Sequence, residues 1–103
     1  MKLNWMLSAL SLASFAATAA QDQETLYLRS LAASCANCHG TDGRASAGSS
    51  VVPLAGLPKD YIVVQMKAFQ SGARPATIMH QISKGYSDAQ IAQIAGYFAA
   101  LDK

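Results

Sequence analysis

What this sequence lacks narrows its class before any motif is considered. No stretch alternates apolar and polar residues as a half-buried strand does, no strand-helix-strand pattern appears, and no segment repeats, so the reading is an all-α domain. Basic residues form no cluster. Eight Lys and Arg stand against six Asp and Glu, which gives no nucleic-acid surface. An apolar run long enough to span a membrane is also missing: Leu3 to Phe15 is broken by Asn4, Ser8, Ser11 and Ser14. Cysteine is scarce, with two residues, so at most one disulfide can staple the chain.

The first twenty positions are set apart from the rest. Lys2 gives a positive start, an apolar stretch follows, and Ala17-Thr18-Ala19-Ala20 offers the small residues that a signal peptidase cleaves. Residues 1–20 are therefore expected to be an export signal cut at Ala19 or Ala20, which places the product in the periplasm. Residues 21–103 then form one small domain with little core of its own. Such a domain needs a staple or a buried cofactor.

Cys35-Ala36-Asn37-Cys38-His39 supplies the chemistry. Two thiols three positions apart, with histidine directly after the second, match covalent haem attachment: each sulfur adds to a vinyl group and the imidazole ligates iron. Three plainer readings compete. A dithiol redox protein wants a strand-helix-strand setting, zinc wants four ligands in paired spacing where only His39 and the distant His80 are at hand, and a simple disulfide leaves His39 unexplained.

Leu28, Leu31 and Cys35 recur at helical spacing from Glu24, so the motif is expected at the end of an amphipathic helix closed by Gly40. Thr41 to Ser50, rich in Gly, Ser and Ala, reads as a loop. Val51 to Leu57 carries Pro53 and reads as extended chain able to offer a carbonyl to the second nitrogen of His39. Residues 58–71 form a second helix with Ile62, Met66 and Phe69 on one stripe and Gly72 as its stop. Ile78, Met79 and Ile82 make a short helix ended by Gly85. Ser87 and Gln90 form a capping box for the last helix, whose stripe is Ile91, Ile94, Ala95, Phe98 and Leu101.

The second iron ligand separates a closed electron-transfer site from an open reactive one. Met66 lies in a helical stripe and reads as core packing. Met79 stands in a short segment between Pro75 and Gly85 and is the candidate, with core packing as the plainer role. His80, beside it, points to another side and reads as exposed or capping.

At this point the chain resembles a class I c-type cytochrome, through Cys35 to Gly43, Leu54-Ala55-Gly56, Phe69 with Ser71-Gly72, and Met79 to Asp88. In that family a methionine seven residues before an aromatic or apolar residue followed by Ser-Asp is the distal ligand, and Met79 with Tyr86-Ser87-Asp88 matches. The resemblance implies a small cytochrome c fold of about four helices around one covalent haem c, with Cys35 and Cys38 on the porphyrin and His39 and Met79 on iron. It implies an electron carrier rather than an enzyme. A narrower similarity, over Ala76 to Ser87 and Ala95 to Phe98, is to the haem subunit of flavocytochrome c sulfide dehydrogenase, whose partner is a sulfide-oxidising flavoprotein. Pro53 adjoins Leu54 where relatives place proline one residue earlier, so either Val52 or Pro53 can supply the carbonyl for His39. A free-standing carrier to an oxidase and a haem enzyme or gas sensor with an open sixth site are the alternative functions. Lys67 and Arg74 are expected to be solvated rather than to meet propionates or a partner.

Overall fold

The computed structural model describes residues 22–103 together with Ala20. The expected export signal lies, apart from Ala20, outside the described residues. Five helices follow in order: α1 over 22–33, α2 Ala36–His39, α3 Lys59–Ser71, α4 Met79–Lys84 and α5 Asp88–Ala99, with a 3₁₀ turn at Thr41–Gly43. No strand occurs among the described residues, and the all-α expectation holds. None of the described helices is long and apolar enough to cross a membrane.

The count exceeds four because the cysteine motif forms its own single turn. At Cys35 the backbone N–H bonds to Ala32 three residues back, at 3.1 Å, and the next turn restarts with His39 N–H to the Cys35 carbonyl at 2.9 Å. The tightened step separates α1 from α2, while Cys35 keeps helical backbone angles.

Local signals set the other ends. Pro58 precedes α3 and its carbonyl accepts from Ile62 N–H at 3.2 Å, so the ring that cannot donate sits where no donor is needed. Gly72 closes α3 in the left-handed region, φ 80°. Gly85 follows α4. Ser87 and Gln90 make both bonds of the capping box on α5, at 3.1 and 3.0 Å.

The core sits where α3 crosses α5. Ile91, Ile94, Ala95 and Phe98 line the buried face of α5, Ile62 and Met66 come from α3, and Ala32 from α1. α3 also packs on α4. The extended segment before α3 is stitched at both ends: Leu54 N–H donates to the Gly43 carbonyl at 2.7 Å, and Gly56 N–H to the Phe98 carbonyl at 2.9 Å. A strap thus runs from the motif turn to the end of α5.

Candidate functional site

α2 presents His39 at its last position, and the strap decides the state of the ring. His39 Nδ1 lies 2.6 Å from the Val52 carbonyl oxygen. A carbonyl only accepts, so Nδ1 donates, and Nε2 keeps the lone pair a metal ligand needs. Of the two candidate carbonyls, Val52 is the one used. Gly40 makes the geometry possible: it turns the chain at φ 90° and ψ 160°, and a Cβ there would fall 2.0 Å from the Arg44 carbonyl oxygen.

The two thiols are free, with Cys35 half-buried and Cys38 exposed. Burial pushes the Cys35 thiol above its ordinary pKa, and a hydrogen bond from Ser34 pulls the other way. Met79 opens α4, and both it and Cys35 pack against the core cluster of the described residues. Met66 is a member of that cluster itself, as its stripe predicted.

Other residues stand differently from their sequence reading. His80 is half-buried, and its Nδ1 is enclosed without a hydrogen-bond partner, where an exposed or capping ring was expected. The short α4 that carries it packs against α3. Arg74 stacks on the Phe69 ring with 4.7 Å to its centre and donates to Gln65 at 2.6 Å. Lys67 pairs with Asp88. Both cations are engaged within the chain.

Sequence reasoning missed the bonds that join the two halves of the site. Gln70 on α3 donates to the Ser83 and Tyr86 carbonyls, Tyr86 and Ser34 share a hydroxyl contact at 3.0 Å, and Tyr97 donates to Asp42 at 2.9 Å.

The donor set fits a haem better than its rivals. Among the described residues no three His, Cys, Asp or Glu gather to hold a bare metal ion, and no sheet supports a dithiol active site. Val52, Tyr61, Val64, Ile78 and Ile82 are large apolar side chains left exposed on the strap, α3 and the Met79 segment. Side chains of that kind suit the face of an apolar macrocycle.

No protein-family model matches the chain. Cytochrome c-554(548) of Halomonas halodenitrificans is 37% identical over 70 residues, covering 64% of this chain and 82% of that protein. The chain is a class I c-type cytochrome. The cytochrome is also 43% identical over 74 residues to the cytochrome subunit of sulfide dehydrogenase of Chlorobaculum tepidum, covering 71% of this chain and 64% of that one. A solved cytochrome c4 from Acidithiobacillus ferrooxidans superposes with a TM-score of 0.61 at 37% identity, over 65% of this chain and 38% of that chain. The cytochrome therefore spans just under two thirds of the sulfide dehydrogenase subunit and well under half of cytochrome c4. Membership brings haem iron with it.

Proposed function

We propose that this cytochrome is a one-electron carrier, exported to the periplasm and working as residues 21–103 with one covalent haem c. Cys35 and Cys38 would hold the porphyrin, and His39 Nε2 and the Met79 sulfur would ligate its iron. The observation that carries this reading is the His39 to Val52 bond, which prepares Nε2 for iron on a motif whose two thiols are free. Bound haem iron supplies a single electron exchanged between its ferric and ferrous states, and a thioether ligand raises its potential. The chain's part is to fix the imidazole tautomer through Val52, to bring Met79 to the rim of the core that also carries Cys35, and to keep water away with exposed apolar side chains.

The electron donor in this proposal is a sulfide-oxidising flavoprotein. Similarity to a sulfide dehydrogenase cytochrome subunit over 71% of the chain supports it. A free-standing carrier to an oxidase is the second reading, supported by the 82% of cytochrome c-554(548) that this one domain spans. Haem staining after denaturing electrophoresis tests covalent attachment, with loss expected in Cys38→Ala together with Cys35→Ala. The far-red sulfur-to-iron band tests Met79: it is present in the ferric wild type and absent in Met79→Ala. A band that persists in that variant assigns the role to another sulfur, and a high-spin ferric spectrum with rapid carbon monoxide binding points to an open-site haem enzyme or sensor. Reduction by sulfide plus the flavoprotein, no faster than by a generic donor, sinks the partner assignment.

A further inference from the structure

The segment that carries Met79 has little to hold it by itself. α4 is six residues long, far below the length at which a helix is stable alone, and a loop with Gly72 and Pro75 precedes it while Gly85 follows. Its position is set from outside. Gln70 Nε2, half-buried on α3, donates to the Ser83 carbonyl at 2.7 Å and to the Tyr86 carbonyl at 3.1 Å. One amide nitrogen has two hydrogens, so both bonds form together, on the Ser83 carbonyl, which also accepts from Tyr86 N–H at 3.3 Å, and on the Tyr86 carbonyl just beyond α4. From the other side the Tyr86 hydroxyl meets Ser34 Oγ at 3.0 Å, and Ser34 directly precedes Cys35. The segment is thereby tied to α3 and to the thiol motif at once.

We propose that Gln70 and the Ser34–Tyr86 hydroxyl pair are positioning residues for Met79: together they clasp residues 79–86 so that the sulfur stays on iron against competing ligands. The inference rests on the reading of Met79 as the second ligand. A neutral thioether outcompetes a free imidazole through its high local concentration, which lasts only while the segment is held. Local opening of a short, sparsely bonded segment is the route by which that advantage is lost. Removing the clasp makes opening easier without touching either ligand.

The test is a titration of the ferric haem-loaded protein with free imidazole, followed by loss of the far-red sulfur-to-iron band. Gln70→Ala should bind imidazole about tenfold more tightly than wild type, as expected for losing two bonds from one half-buried amide. Gln70→Met keeps the shape without the donors and should behave alike, which covers a failure of the alanine variant to fold. Tyr86→Phe should gain about threefold, Ser34→Ala the same, and the pair together no more than either alone. Affinities within twofold of wild type in both Gln70 variants overturn the clasp. So does a lowered unfolding midpoint with unchanged imidazole affinity, which assigns Gln70 to packing alone. A wild-type ferric protein that lacks the band overturns the Met79 reading and the clasp with it, whereas a band present with unchanged affinities sinks the clasp only.

Discussion

Gly40 carries a constraint that no other residue type satisfies. Its φ of 90° and ψ of 160° belong to a region open essentially to glycine, and an added Cβ would meet backbone, the Arg44 carbonyl at 2.0 Å, which cannot rotate away. Gly40→Ala is expected to cost about 3 kcal/mol, from backbone strain plus overpacking. Urea unfolding of the haem-loaded protein measures it, and a loss under about 0.5 kcal/mol would show that the turn after His39 can re-form. A second residue-scale effect depends on pH. Burial raises the Tyr97 phenol above its ordinary pKa of 10.0, the hydrogen-bonded Asp42 carboxylate adds to this, and Arg29 opposes it. The proton is therefore held more tightly in the folded state. Its stabilising contribution is complete below the unfolded value near 10.0 and is lost as pH rises through the folded one. Asp42→Asn, which tolerates the φ of 53° at that position, should lower the Tyr97 pKa in an ultraviolet difference titration without returning it fully to the ordinary value. An unchanged titration would remove Asp42 as a cause.

At the scale of elements, α5 shows what a local signal is worth. Its N-terminus is closed by Ser87 and Gln90, and the helix so started delivers four of the core side chains. Ser87→Ala should cost about 1 kcal/mol in urea unfolding and Ser87→Thr a few tenths, because threonine keeps the accepting oxygen. Equal losses in the two would mean that the cap bond contributes nothing. The exposed pair between Lys67 on α3 and Asp88 in the first turn of α5 is worth less, and Lys67→Ala is expected within about 0.5 kcal/mol of wild type. The boundaries of α3, α4 and α5 were legible in the sequence for the same reason. Pro58, Gly72, Gly85 and Ser87 act on neighbours within four residues, and so does the period that exposed the stripes. Cys35, Cys38 and His39 stand together as a local motif, and Met79 is proposed as a ligand from its place before Tyr86-Ser87-Asp88. Illegible were contacts between residues far apart in the chain. Gly43 read as a turn, yet its Cβ would also lie 2.8 Å from Phe98, and no local pattern announces that. Gln70, Tyr86 with Ser34, and the choice of Val52 over Pro53 belong to the same class: each depends on where a second segment passes.

For the whole molecule, the small buried core is the deciding quantity. Among the described residues, seven buried side chains from three helices form one cluster, and large apolar residues on α3, α4 and the strap remain exposed. A domain of this size buries a smaller share of its surface on folding than a large one, which leaves it nearer the margin of stability. In the proposed attachment, a haem held by Cys35, Cys38, His39 and Met79 would add apolar area and join the motif helix to the α3–α4 side, opposing the chain entropy that a small domain struggles to offset. The haem-free chain is accordingly expected to lose its cooperative urea transition and much of its far-ultraviolet helix signal, and to expose apolar surface to a hydrophobic dye. Cys35→Ala with Cys38→Ala, expressed in the cytoplasm where no haem is attached, provides that chain. Adding free haem to it should recover helix signal in proportion to binding, since a ligand that binds only the folded form draws the equilibrium toward it. A sharp haem-free transition with a midpoint near that of the loaded protein would show that the seven-residue core suffices, and would leave the exposed apolar side chains without their structural reason.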